Sequence, residues 1–203
     1  METRFKNKCK LDKERVVVLG TAAAIDTRYK GQEFVIKAIG KLKKRGYQFE
    51  YRLAGGTTRE KSTTEQYLKQ LASKCGVENE IIFLGALSQN ELVYFYDSLD
   101  IYVQPSKQEG LPRAVIEAMS HGCPIIGSDI AGIPELVSKD FLFKKANVNQ
   151  IIKKILYVVE SDLEEISREN FLKSKKYSKD ILKTKREKFY DLFIEMEKKP
   201  NYQ

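Results

Sequence analysis

Glu109 and Glu117 stand eight positions apart in VQPSKQEGLPRAVIEAMSHG, residues 103–122, with a Gly-Leu-Pro turn directly after the first. The turn predicts a loop running into a helix. Gly110 permits an unusual backbone angle, and Pro112 suits a first helical turn, where no N–H is lost. Glu109 would then point from the loop into a cleft, with Glu117 just over a turn into the helix. The free amides of Gly110 and Leu111, at the positive end of the helix dipole, suit a phosphate or a sugar hydroxyl. A carboxylate at Glu117 suits the two hydroxyls of a ribose, because its two oxygens match paired O–H donors. On residue types alone the pair stays open between a sugar nucleotide, a metal and no ligand. Most exposed carboxylates are simply solvated or ion-paired.

The elements that must position these residues are short apolar strands alternating with helical patterns. RVVVLG (residues 15–20), FEYRLAGG, IIFLG, DIYVQPS and PIIGS read as five buried strands, and FLFK near Asp140 as a short sixth. Between them, apolar residues at spacing three and four mark helices over 32–45, around Tyr67 to Cys75, over 91–99 after Ser88-Gln89-Asn90, and over 113–120. Such alternation with short connections implies an α/β fold: a Rossmann-like, doubly wound parallel sheet over residues 16–147. Ligands in such folds bind beyond the carboxyl ends of the strands. The unusual stretches GTAAAIDTRYKG, AGGTTRE, GALSQ, PSKQEGLP and SDIAGIPE all fall there. From residue 148 to 203 the pattern is helical only, which predicts a C-terminal helical extension packed across the sheet edge.

Composition narrows the function classes. Charged residues at 32% and hydrophobic residues at 42% describe a globular chain with a real core. The longest apolar runs are too short to span a bilayer. Three widely spaced cysteines without a CxxC pair argue against a disulfide framework or a zinc site, and fit a reducing, cytoplasmic compartment. The net charge of +8 is carried by the flanks, +3 on residues 1–15 and +5 on residues 171–203, so the body is neutral. A nucleic-acid surface usually places its basic stripe on the folded module, so no nucleic-acid partner is expected. Basic flanks suit a protein partner or an anionic membrane surface, peripheral on its inner face. His121 and Cys123 flank a tight turn without a third orienting group, which argues against a catalytic Cys-His pair.

The segment IYVQPSKQEGLPRAVIEAMSHGCPIIGSDIAGIPELV closely resembles the donor-binding segment of family 4 glycosyltransferases of the GT-B fold. The shared pattern is a strand ending in Pro105-Ser106, then Glu109-Gly110, Glu117-Ala118-Met119, Gly122, Pro124 and Gly132-Ile133-Pro134-Glu135. The resemblance runs upstream through KGQEFVIKAIGKL and YRLAGG, covering roughly residues 16–137. It implies a donor-binding set. Lys30 neutralises the donor diphosphate, Gly55 and Gly56 line the nucleotide cleft, and Ile82, Phe83 and Leu84 meet the base edge. Ser106, Gly110, Leu111 and Pro112 belong to the loop on the donor. Glu109 is the catalytic acid beside the anomeric carbon, and Glu117 holds the ribose. It further implies a UDP- or GDP-sugar as donor, retention of anomeric configuration, and neither metal nor cofactor. The acceptor is then a glycan or lipid-linked molecule of surface polysaccharide, lipopolysaccharide or glycoprotein synthesis.

Two departures matter. The family writes Gly-Arg before the lysine, where this chain has Gly20-Thr21 and a longer loop. Arg28 is the candidate replacement charge, its alternative being a solvated loop arginine. A GT-B enzyme also has two Rossmann-like domains, and only the second is expected here, with residues 1–15 as a linker. The chain would be an excised half, a split gene product or a remnant, inactive without an N-terminal acceptor-binding domain or subunit. The competing function is a non-catalytic nucleotide-binding or assembly module. A dinucleotide dehydrogenase is set aside, because GTAAAID lacks the G-x-G-x-x-G phosphate loop.

Overall fold

The computed structural model describes residues 15–57 and 63–197. Apart from Arg15, the expected linker over residues 1–15 lies outside them. Six strands, β1 (Val17–Ala22), β2 (Phe49–Ala54), β3 (Ile81–Gly85), β4 (Ile101–Gln104), β5 (Ile125–Ser128) and β6 (Leu142–Phe143), form one sheet in the order β3-β2-β1-β4-β5-β6. Every neighbouring pair is parallel, with Val17 opposite Phe49 and Leu19 opposite Ile101. β4 and β5, in the middle of the sheet with helices on both faces, are buried at every position, including the polar Gln104 and Ser128 at their carboxyl ends.

The chain first moves outward from β1 to β3, then crosses back to β4 and continues the other way. That reversal opens a crevice between β1 and β4 at their carboxyl ends, the usual ligand site of a doubly wound sheet. Helices fill both faces. Helix α1 (Gln32–Lys43) buries Val35, Ile36, Ala38, Ile39 and Leu42, a stripe at helical spacing, and α2 (Thr63–Cys75) buries Leu68 and Ala72 beside it. On the opposite face lie α3 (Gln89–Ser98), α4 (Arg113–Ser120) and the one-turn α5 (Ile133–Leu136), under Tyr102, Ile125 and Val137. Helix α3 begins in a capping box: Glu91 N–H donates to Ser88 Oγ at 3.3 Å, and Ser88 N–H to Glu91 Oε2 at 2.8 Å.

Past residue 147 the expected extension divides. Helix α6 (Val148–Glu160) packs on α1 and is part of the core, burying Ile151, Ile152, Ile155, Val158 and Val159. Each such side chain contributes roughly 1.5–3 kcal/mol on removal from water. Helix α7 (Leu163–Ser174) packs on α4, on the opposite face. The two therefore cover both faces of the sheet where packing across its edge was expected. Helix α8 (Lys179–Glu197) leaves Phe189, Tyr190, Leu192, Phe193 and Ile194 exposed. Among the described residues no helix is long and apolar enough to cross a membrane.

Candidate functional site

The crevice at the reversal point is a cleft of about 550 Å³. Its first wall is the turn between β1 and α1. Lys30 ends a single 3-10 turn, and Gly31 follows in the left-handed region at φ 71°. A Cβ at Gly31 would lie 2.0 Å from the Pro105 carbonyl oxygen, so only glycine lets this turn close on the end of β4. Lys107 N–H donates to Tyr29 O at 2.7 Å, and Lys107 Nζ reaches the buried Glu33 carboxylate at 3.2 Å. The lysine turn and the loop carrying Glu109 are thus tied by backbone and side chain.

These ties set Lys30 against Glu109. Lys30 Nζ donates to both carboxylate oxygens, at 3.1 Å to Oε1 and 2.9 Å to Oε2. Glu109 Oε2 also accepts from Gln104 Nε2 at 3.1 Å and from Ser106 Oγ at 2.9 Å. Gln104 and Ser106 are fully buried behind the cleft. Tyr102 O–H donates to Gln104 Oε1 at 2.8 Å and accepts from Ala22 N–H at 3.3 Å. Burial pushes the Tyr102 phenol well above its ordinary pKa, so it remains a donor. Four hydrogen bonds end on the Glu109 carboxylate, three on Oε2 and one on Oε1, so Oε2 is fully occupied and Oε1 keeps an acceptor site.

The second wall is the N-terminal half of α4, presenting Pro112, Arg113, Ala114 and Glu117. The preceding loop is fixed from β5's side: Gly132 N–H donates to Gly110 O at 3.1 Å, and a Cβ there would lie 2.8 Å from that oxygen. Glu117 Oε2 accepts from Tyr96 O–H at 2.9 Å. The third wall is backbone edged by small side chains: Ala22, Ala23, Ala24, Ala54, Gly55, Gly56 and Ala86. A Cβ at Gly55 would lie 1.9 Å from Ala23 O, so the ends of β1 and β2 approach as closely as backbone permits. Such a wall offers amides and carbonyls to a flat ligand rather than side-chain bulk.

Among the residues expected from the sequence, Lys30, Gly55, Gly56, Glu109, Pro112 and Glu117 line this cleft. Ser106 lies beneath it, holding Glu109. Gly110 and Leu111 are exposed on the loop that leads into α4, outside the lining. Arg28 is not in the cleft. Its guanidinium lies 4.2 Å above the Tyr67 ring and donates to Tyr67 O–H at 3.0 Å. Ile82, Phe83 and Leu84 also stand outside it. The Phe83 ring packs toward the α1–α2 side with Lys69 Nζ 5.2 Å from its centre, and the cleft is met by Ala86 and Leu87, past the end of β3. The replacement for the missing arginine is not at Thr21 either, whose buried hydroxyl donates to Val103 O at 2.6 Å.

Arg113, Gln104, Tyr96 and Ala22 to Ala24 complete the site without having been singled out in the sequence. Arg113 had a signal, since four residues before Glu117 it shares that helix face. Tyr96 had none, because its partner is 21 residues away in the chain. His121 and Cys123 do no chemistry together: His121 Nδ1 pairs with Asp97 Oδ1 at 2.9 Å, and Cys123 Sγ, buried, donates to Tyr96 O at 3.1 Å. Among the described residues no group of three or more His, Cys, Asp or Glu side chains is arranged to hold a metal.

The doubly wound parallel sheet with its cleft at the switch point has the Rossmann-like fold found in GT-B glycosyltransferases. The chain matches the family described as glycosyl transferases group 1 over residues 2–177 and belongs to that family. Protein CapJ of Staphylococcus aureus is 32% identical over 183 residues, which cover 88% of this chain and 45% of CapJ. The C-terminal domain of the group 1 protein LpcC from Francisella tularensis superposes with a TM-score of 0.71 at 25% identity, covering 80% of this chain and 87% of that domain. HepE of Anabaena, solved with UDP and glucose, shares the fold at a TM-score of 0.65 and 22% identity, covering 77% of this chain and 44% of its own. The chain spans about half the length of two curated relatives it matches, CapJ and a glycosyltransferase of Haemophilus influenzae.

Proposed function

We propose that this chain is the donor-binding half of a retaining glycosyltransferase, which transfers a sugar from a UDP- or GDP-sugar to a glycan or lipid-linked acceptor. The observation that carries the reading is the convergence of Lys30, Arg113, Glu109 and Glu117 on one cleft whose third wall is bare backbone. The base lies along Ala22 to Ala24 and Ala86–Leu87, the ribose on Glu117, and the diphosphate between Lys30 and the amides that open α4. The sugar faces Glu109.

In this reading the chemistry is electrostatic. Cleavage of the bond to the anomeric carbon leaves charge on the diphosphate, and Lys30, Arg113 and the positive end of α4 stabilise it as it develops. Glu109, anchored at Oε2 by Lys30, Gln104 and Ser106, orients a sugar hydroxyl through Oε1 without forming a bond to the sugar. The LpcC likeness supports placing this chain as a C-terminal half, and the UDP and glucose bound to HepE support the donor class. Isothermal titration with UDP, GDP, ADP and CDP tests the reading. Binding of one of them at micromolar to millimolar concentration is expected, and silence from all four overturns it.

The alternative is a non-catalytic nucleotide-binding or assembly module, which would bind nucleotide without transferring sugar even with an acceptor-binding domain supplied. Transfer needs an acceptor held against the anomeric carbon, and that alignment accounts for many powers of ten in rate. The isolated chain is therefore expected to bind donor without transferring sugar, and transfer by the 203 residues alone would refute this. The partner is an acceptor-binding domain, and the assembled protein acts on the cytoplasmic face of an anionic membrane. Exposed lysines and aromatic residues of α8 support the membrane contact. Equal pelleting with phosphatidylglycerol vesicles, with or without residues 171–203, would remove it.

A further inference from the structure

We infer that Tyr96 is a positioning residue for Glu117, and that the cleft's preference for ribonucleotides over 2′-deoxyribonucleotides depends on its hydroxyl. The inference rests on the reading of Glu117 as the ribose acceptor and goes beyond it. Glu117 is exposed on α4, and a glutamate in that setting samples several rotamers. It accepts one side-chain hydrogen bond among the described contacts, from Tyr96 O–H to Oε2 at 2.9 Å.

Tyr96 is a rigid anchor for that bond. The residue is 2% exposed, and its ring is held from three sides. It meets the Phe95 ring edge-on at 5.3 Å, tilts on Tyr102 at 5.9 Å, and stacks on His121 at 5.5 Å. His121 is itself tied to Asp97. Only the edge of Tyr96 reaches the cleft, and there it meets the carboxylate. Burial, with the Tyr102 and Glu117 oxygens nearby, pushes its pKa far above the ordinary phenol value, so it donates at every working pH. The bond occupies one lone pair of Oε2 and fixes the carboxylate plane. Oε1 has no hydrogen bond among the described contacts, and on a residue that lines the cleft it remains an acceptor for a ribose hydroxyl. A carboxylate already ordered gives up less freedom on binding, and discriminates more sharply against a sugar that lacks the donor.

The experiment is titration of wild type, Tyr96→Phe, Glu117→Ala and the double variant with UDP and 2′-deoxy-UDP, or with the guanine pair if the chain takes GDP. Wild type is expected to favour the ribonucleotide. Tyr96→Phe should weaken ribonucleotide binding about three- to tenfold, leave the deoxyribonucleotide unchanged, and have no further effect once Glu117 is alanine. Thermal melting shows whether Tyr96→Phe keeps the core. If it does not, the titrations are repeated at a temperature below the Tyr96→Phe transition, where the variant is folded and the same loss of discrimination is expected. Tyr96→Phe discriminating as well as wild type, with discrimination lost in Glu117→Ala, overturns the role of Tyr96 and leaves Glu117 in place. Wild type indifferent to the 2′-hydroxyl overturns the ribose reading itself, and this inference with it.

Discussion

Lys30 and Glu109 form a two-pronged ion pair across the cleft, with Nζ 3.1 and 2.9 Å from the two carboxylate oxygens. Both are largely sheltered from water, at 27% and 13% side-chain exposure, so solvent screens the pair less than it would a surface contact. The pair has a consequence for binding. A diphosphate arriving in the cleft must compete with Glu109 for the ammonium group, and whatever Lys30 gives to phosphate it releases from the carboxylate.

Lys30→Ala is therefore expected to weaken UDP or GDP binding by roughly tenfold or more, as loss of a charged hydrogen bond implies. Binding of uridine or guanosine should change little. The difference should shrink when the titration is repeated at high salt. Equal losses for nucleoside and diphosphate would take Lys30 out of the phosphate site.

The two glutamates should separate cleanly. Glu117→Ala is expected to cost about 1–3 kcal/mol of nucleoside diphosphate affinity, the value of a hydrogen bond to a charged group. Glu109→Ala should leave UDP affinity unchanged or improved, because it frees Lys30, and should abolish discrimination among the sugars of UDP-sugars. Titration of each variant with UDP and a panel of UDP-sugars is the check. Parallel losses in both variants would refute this division of labour.

Arg113 stands at the first position of α4, where a cation meets the positive end of the helix dipole and is unfavourable. Relief comes from an anion in the cleft. Arg113→Gln should then act in opposite directions, with a slightly higher melting temperature for the free protein and several-fold weaker diphosphate binding. A variant that binds UDP as wild type does would make Arg113 a solvated surface residue.

The sheet was legible because parallel strands are buried on both faces, so β1, β4 and β5 each begin with a short apolar run, VVL, IYV and II. The Glu109 loop was legible for a different reason, that glycine and proline at fixed offsets dictate its backbone. Gln104 and Tyr96 escaped notice because a buried polar side chain is defined by its partner. Those partners come from elsewhere in the fold: Tyr102 and Glu109 for Gln104, and Glu117 for Tyr96. Arg28 misled because charge and proximity in sequence do not fix direction, and the ring of Tyr67 on α2 holds its guanidinium away from the cleft. For Phe83 the strand was right, but its side chain alternates toward α2. The cleft is reached only past Gly85, where the chain turns at φ 69°.

Gly31 gives the most direct test of how the fold builds the site. Both Gly31 and Gly46 occupy the left-handed region, at φ 71° and 84°. A side chain at either costs about 1–2 kcal/mol in backbone strain. At Gly46 nothing lies within 4 Å of a new Cβ, so the strain is the whole penalty. At Gly31 the Cβ would stand 2.0 Å from the carbonyl oxygen of Pro105, which is backbone and cannot swing aside. The turn must therefore withdraw from the end of β4, carrying Lys30 away from Glu109. Gly46→Ala should lower stability modestly, by about that strain, and leave UDP binding intact. Gly31→Ala should lower the melting temperature further and weaken UDP binding as much as Lys30→Ala does, since both changes remove the ammonium group from the cleft. Equal melting losses in the two glycine variants, or a Gly31→Ala protein that binds UDP normally, would show that the close approach to Pro105 does not position Lys30.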